Sequence, residues 1–117
     1  MPASDFKARV LAITRMIPAG RVATYGDIAG WAGKPLAHRA VGTIMRTAGV
    51  AGVPYHRVVA AGGALGGYGG SEALKGHLLR LEGLTVVGTR IRSFAEVRWN
   101  GPPVTRRART KPRVRPS

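Results

Sequence analysis

The chain of 117 residues contains no cysteine. Disulfides, thiolate metal sites and thiol nucleophiles are excluded with it. Acidic residues are scarce: five Asp and Glu face nineteen Lys and Arg, a formal charge of +14. Such a surplus favours a polyanionic partner, nucleic acid first and an anionic membrane surface second. A host with Arg-rich proteins would produce the same balance. No apolar run is long enough to span a bilayer. The opening stretch, MPASDFKARVLAITRMIPAG, intersperses Asp5 with Lys and Arg and holds no signal-like apolar core. The expected location is therefore cytoplasmic, nucleoid-associated through DNA, with no membrane partner.

What is present fits one small globular domain with a single modest core. Residues 1–100 are expected to form it. From position 101 the sequence GPPVTRRARTKPRVRPS is basic, proline-rich and free of acid. It reads as a disordered tail, 101–117. Such a tail can track phosphates with salt-dependent, sequence-blind affinity, or serve only as a solubilising terminus.

The spacing predicts a helix from Ser4 to Ile17, capped by Ser4 or Asp5, with Phe6, Val10, Ile13 and Ile17 on one face. Pro18-Ala-Gly20 stops it. A second, shorter helix follows Thr24, whose N-cap role is supported by Asp27 three residues on. Gly33-Lys34-Pro35 breaks the chain. A third helix, Ala37 to Thr47, has two faces. Ala37, Val41, Ile44 and Met45 form an apolar stripe, while Arg39, Thr43 and Arg46 line a polar one. Helix, tight turn and basic helix fit a helix-turn-helix, and they fit an ordinary helical hairpin with a solvated basic face equally well.

Beyond Gly49 the chain is rich in glycine, which lets backbone approach a ligand closely. YHRVVAAGGAL reads as a short strand with turns. A helix is expected from Ser71 to Leu81 with Leu74, Leu78 and Leu81 inward. LTVVGTRIRSFAEVRW suggests a hairpin about Gly88, which would make a wing. The fold class is thus mainly α with short β elements, a winged helix-turn-helix-like DNA-binding domain.

Few residues offer chemistry. His38, His56 and His77 are scattered without metal-ligand spacing, so no metal is expected. The glycine-rich loop lacks a phosphate-cradling GxxxxGK[ST] pattern, and no cofactor is expected. His56 beside Tyr55 suggests an acid–base pair. On a strand, however, neighbouring side chains point to opposite faces, and a phenol is a weak nucleophile at neutral pH. His56 then reads as a buried histidine satisfied by hydrogen bonds.

Four stretches, in order, carry a resemblance: IPAGRVATYGDIA, HRAVGTIMR, VPYHRVVAAGGALGGYGG and KGHLLRLEG. Together they resemble the C-terminal DNA-binding domain of the 6-O-alkylguanine-DNA alkyltransferases. The chain is more similar still to the alkyltransferase-like proteins, which carry that domain without its active cysteine. The match runs from about Asp5 to Gly83. Where the enzymes have Pro-Cys-His-Arg-Val, this chain has Tyr55 in the cysteine's place. The resemblance implies that Tyr25 presses on the 3′ phosphate of the damaged nucleotide. It implies that Arg39 enters the duplex and replaces the extruded base, beside Thr43 and Arg46 on the DNA-binding face. Tyr55, Met45, Val58, Tyr68, Gly69 and Gly70 would line the alkylguanine pocket. His56 and Glu82 would persist as a vestigial relay. Ala48-Gly49 stands where the enzymes have an Asn-Pro pair that ties helix to active-site strand, and Gly69 replaces a loop serine.

The resemblance implies a non-enzymatic protein that recognises DNA damage. It would bind 6-O-alkylguanine in duplex DNA by base flipping, without alkyl transfer, and flag it for nucleotide excision repair. The partners expected are double-stranded DNA containing alkylated guanine and nucleotide excision repair proteins, with the chain acting as a monomer. Two alternatives remain: an alkyltransferase-type enzyme using Tyr55, or a general basic DNA-binding protein.

Overall fold

A computed structural model describes residues 4–66 and 72–103, the side chains of Ser4 and Asp5 excepted. Those two expected caps, the start of the fourth helix at Ser71, and tail positions 104–117 therefore fall outside the described residues.

The first helix, α1, runs Ser4–Met16. Its stripe of Phe6, Val10, Ile13 and Ile17 is buried, as the spacing predicts. Thr14 also lies inside, where its hydroxyl donates to the Val10 carbonyl at 2.7 Å and so avoids an unmet polar group. Gly20, at φ +87°, takes the left-handed turn that leads the chain out.

The second helix, α2, is Tyr25–Trp31, and its capping box is complete. The Thr24 hydroxyl accepts from the Asp27 amide at 2.9 Å, and the Asp27 carboxylate accepts from the Thr24 amide at 3.1 Å. Arg98 grips the same carboxylate with two bonds of 2.6 and 3.0 Å. At the other end Gly33 (φ +96°) closes a Schellman turn, with the Lys34 amide bonded to the Ala29 carbonyl at 2.9 Å. The third helix, α3, spans His38–Thr47, with Ala37 at its cap position. Val41 and Met45 are buried, and Ala37 and Ile44 are half-buried. The packing of α2 on α3 makes the helix-turn-helix.

Strand β1, Ala23–Thr24, lies immediately before α2 and pairs in parallel with β2, Val58–Val59. Strand side chains alternate. Ala23 and Val58 join the core made by α1, α2 and α3. Val22 and Val59 join a second core with Leu65, Leu79, Leu84, Val86 and Ile91. This short ladder is thus the seam between two apolar clusters.

Two expectations need correction here. The strand does not begin at Tyr55: Tyr55–Arg57 is a turn of 3-10 helix. The Tyr55 amide bonds to Val53 and the Arg57 amide to Pro54, so neither is free to pair with a neighbouring strand. Extended backbone starts only at Val58. The fourth helix, α4, Glu72–Leu81, faces inward with Lys75, Gly76 and Leu79. Leu74 and Leu81 are 57% and 72% exposed, and Leu78 is half-buried. Gly76 sets this phase. A Cβ there would stand 3.3 Å from Leu65 and 3.6 Å from Val86, so this is the side on which the helix can approach closely.

The expected hairpin forms, with β3 Val86–Val87 antiparallel to β4 Arg90–Ile91 about Gly88 at φ +61°. A short helix, α5, Phe94–Val97, follows. The chain then returns beside β1, where Val22 bonds to Val97 and Trp99 at 3.0 and 2.7 Å. Trp99 meets Trp31 edge-on at 5.2 Å. None of the described helices is long and apolar enough to cross a membrane.

Candidate nucleic-acid interface

Helix α3 divides its residues by face. Val41 and Met45 are committed to the first core, which leaves Arg39, Thr43 and Arg46 exposed on the opposite side. The Thr43 hydroxyl donates to the Arg39 carbonyl at 3.2 Å, and Thr47 to the Thr43 carbonyl at 2.8 Å. Both hydroxyls are thereby turned back onto the helix, and the Arg39 side chain projects from it. This is the face that the resemblance assigns to DNA.

Tyr25, assigned by resemblance to a phosphate, is only 6% exposed. Its hydroxyl accepts from Lys75 Nζ at 3.3 Å, and that ammonium lies 5.6 Å from the ring centroid. Gly66 presses on the same ring: at φ +82° it has no Cβ, and one would fall 2.8 Å from the Tyr25 hydroxyl. The tyrosine is thus a wall element of the site, largely enclosed. Burial pulls the Lys75 ammonium down to about 8, against a smaller upward pull from Glu72. No sequence signal singled out Lys75; it is the charged member of a stripe whose phase was misread.

Tyr55, Met45 and Val58, which the resemblance assigns to the alkylguanine pocket, lie together. Met45 and Val58 belong to the first core, and the half-buried Tyr55 ring packs against it. The phenol oxygen accepts from the Val50 amide at 2.9 Å and donates to the Val50 carbonyl at 3.1 Å. The loop after α3, which lacks the expected asparagine tie, is held in this way. Tyr68, Gly69 and Gly70 lie outside the described residues.

His56 and Glu82 also meet. His56 Nε2 is 2.8 Å from Glu82 Oε2. Arg57, not singled out in the sequence, completes the cluster. Its Nη2 donates to Glu82 Oε2 at 2.7 Å and its Nε bonds to both carboxylate oxygens at 3.0 and 3.1 Å, while Nη1 donates to the Ile17 carbonyl at 2.8 Å. Burial raises the Glu82 carboxyl, but the hydrogen bonds from Arg57 and His56 outweigh it and hold the group down at about 2. His56 is half-buried and paired, close to the expected satisfied histidine, although it sits on a turn and not a strand. Among the described residues no group of three or more His, Cys, Asp or Glu is placed to hold a metal ion. His38 and His77 are exposed on their helices.

Known proteins share this fold. A methylated-DNA–protein-cysteine methyltransferase of Mycolicibacterium paratuberculosis is 45% identical over 80 residues, which is 68% of this chain and 48% of that protein. The chain thus spans about half the length of that methyltransferase. A DNA base-flipping protein of Escherichia coli is 38% identical over 97 residues, 82% of this chain and 75% of the relative. Among solved structures, S. pombe Atl1 in complex with damaged DNA containing O6-carboxymethylguanine superposes with a TM-score of 0.75 at 30% identity, covering 86% of this chain and 99% of that one. Residues 5–84 match the family described as 6-O-methylguanine DNA methyltransferase, DNA binding domain, and the chain belongs to that family.

Proposed function

We propose that this protein binds duplex DNA carrying 6-O-alkylguanine, turns the modified base out of the helix and holds it without accepting the alkyl group. The observation that carries this reading is the state of Tyr55. It stands at the position that the resemblance gives to the acceptor thiol. Its oxygen is engaged as acceptor from the amide and donor to the carbonyl of one residue, Val50. A phenol so engaged makes a poor nucleophile, even with His56 next in sequence. The S. pombe protein solved with O6-carboxymethylguanine DNA and the E. coli base-flipping relative support binding and extrusion.

In this reading Arg39 enters the stack and occupies the gap. Its planar cation is suited to stacking there and to bonding the orphaned cytosine. Extrusion costs a few kcal/mol, less at a weakened alkylguanine pair. Phosphate contacts and burial of the alkyl group offset it. The occupied lesion then serves as a signal for nucleotide excision repair and is shielded from true alkyltransferases.

Competition binding between 6-O-methylguanine and intact duplexes, followed by intact-mass measurement, tests this. Lesion preference with unchanged protein mass is the expected result. A methyl adduct on Tyr55 would make the protein an enzyme. Equal affinity for both duplexes would make it a general DNA-coating protein, which its charge of +14 also allows.

A further inference from the structure

Helix α3 reaches its end at Thr47, and the Ala48 amide still bonds to Ile44 at 2.9 Å. The next residues carry the chain from the DNA-reading helix to the Tyr55 turn. Gly49 and Gly52 both adopt left-handed backbone, at φ +62° and +83°, and open space surrounds the position of a Cβ at each. A segment with two such glycines has little intrinsic rigidity. Val50 lies between them, and its amide and carbonyl both bond to the one phenol oxygen, at 2.9 and 3.1 Å.

That phenol is itself well rooted. Its ring packs against the first core. The two residues that follow it, His56 and Arg57, are pinned to Glu82 at the end of α4. A continuous mechanical path therefore runs from α3 through Val50, the Tyr55 ring and the 3-10 turn to α4. The stretch of it that carries the two left-handed glycines is the one that the hydroxyl closes.

We infer that the Tyr55 hydroxyl is a positioning group: it fastens the end of the DNA-reading helix to the turn flanking the base pocket, and discrimination of the lesion depends on that tie. This rests on the proposed recognition of alkylguanine and adds to it. The tyrosine is more than an absent thiol. It supplies a contact that neither a cysteine nor a phenylalanine can make at that reach. The tie acts on the relative placement of Arg39 and the pocket, so it bears on binding that needs both. Binding of intact duplex through phosphates needs only the basic face and is indifferent to it.

Tyr55→Phe is the test, because it keeps the ring and its packing and removes both bonds. Two measurements are made on the full chain: amide hydrogen exchange of the free protein, and affinity for 6-O-methylguanine and intact duplexes at one salt concentration. In the variant, exchange at Val50 is expected to accelerate about tenfold, the equivalent of one to two ordinary hydrogen bonds. Exchange at Val10 in the core should stay unchanged, which confirms folding. Lesion affinity should fall about threefold to tenfold while intact-duplex affinity holds. Unchanged Val50 exchange would overturn the tie. Faster exchange with an unchanged lesion preference would overturn the coupling. A wild-type protein without lesion preference would sink the proposed function and the coupling with it, while Val50 exchange would still report on the tie.

Discussion

The Arg57 guanidinium stands 2.7 Å from the Glu82 carboxylate and 2.8 Å from the Ile17 carbonyl, joining the residues that directly follow α1 and α4 through one planar group. Arginine suits this because its donors form a rigid fork that one carboxylate and one carbonyl can share. The same carboxylate receives His56, so three segments distant in sequence converge on Glu82. The pair that the resemblance assigns to a vestigial relay is part of a structural clasp.

Glu82→Gln is therefore expected to destabilise the fold by about 1–3 kcal/mol at neutral pH, less than a fully buried pair because the cluster is partly solvated. The carboxyl is held at about 2 in the folded state, against an unfolded value near ~4.3. Its folded value is depressed, so its contribution is fully present above ~4.3 and is lost as pH falls through 2. The stability gap between wild type and variant, measured by urea unfolding across pH, should narrow steadily over that interval. A gap that stays constant down to pH 2 would show that the carboxylate does not carry the clasp.

Arg39→Ala should leave stability within about 0.5 kcal/mol of wild type, since the side chain is exposed and Thr43 bonds only to its backbone carbonyl. Binding should change far more. Preference for a 6-O-methylguanine duplex over an intact one is expected to shrink by about 1–3 kcal/mol, with intact-duplex affinity reduced only by the loss of one charge. Arg39→Lys should recover little of the preference, because an ammonium cannot stack as a plane. Fluorescence anisotropy with both duplexes decides. Full preference in Arg39→Ala would remove this residue from the extrusion step.

The parts of this fold legible in the sequence are those fixed locally. The α1 stripe of Phe6, Val10, Ile13 and Ile17, the Thr24–Asp27 box and the Gly88 turn each depend on neighbours within a few positions. The parts misread depend on distant partners. Leu74, Leu78 and Leu81 share a helical stripe as good as that of Lys75 and Leu79, and only the approach of Leu65 and Val86 to Gly76 selects the second. The Tyr55 turn was read as strand because Val58 and Val59 follow it, yet Pro54 and Val53 capture its amides first. In the candidate site, the helix face with Arg39 was legible in the spacing, and the pairing of His56 with Glu82 only through the resemblance. The clasp by Arg57, the burial of Tyr25 and its ammonium neighbour were not, because each arises from residues tens of positions apart.

At Lys75 burial prevails, where at Glu82 the hydrogen-bonding partners do. Its ammonium is enclosed and held near 8, below the ordinary lysine value near ~10.4. The unfolded chain then binds more protons than the folded one between these values, so stability rises with pH across that window. Lys75→Met keeps the length and apolar stem and removes the buried charge. It should abolish the rise, and at pH 7 it should be neutral or stabilising by about 1–2 kcal/mol, the gain in desolvation exceeding the loss of one long hydrogen bond to Tyr25. Thermal unfolding at pH 7, 8, 9 and 10 for both proteins checks this, the difference between them cancelling the titration of other groups. A matching rise in the variant would mean that Lys75 is not its source.

The described chain ends beside α2. Gly101, at φ +108°, lies against Trp31 so closely that a Cβ would fall 2.7 Å from the ring. Gly101 is thereby packed at the first helix of the helix-turn-helix, alongside the Trp31–Trp99 contact. Residues 104–117 carry Arg and Lys with no acid, so their contribution to binding is expected to be electrostatic and indifferent to sequence. A chain shortened to residues 1–103 keeps Gly101 and its packing. It should bind intact and lesion duplexes more weakly by the same factor. The slope of log affinity against log salt should drop by about 3–5, in line with the lost phosphate contacts. Melting temperature should not move. Gly101→Ala in the full chain should instead lower stability by about 1–3 kcal/mol, through strain and the clash with Trp31, and leave the salt slope in place. Titrations of both variants at several salt concentrations separate the two roles. If removal of 104–117 abolished lesion preference while sparing intact-duplex affinity, discrimination would reside in the tail, and the assignment of Arg39 and the Tyr55 pocket would fall.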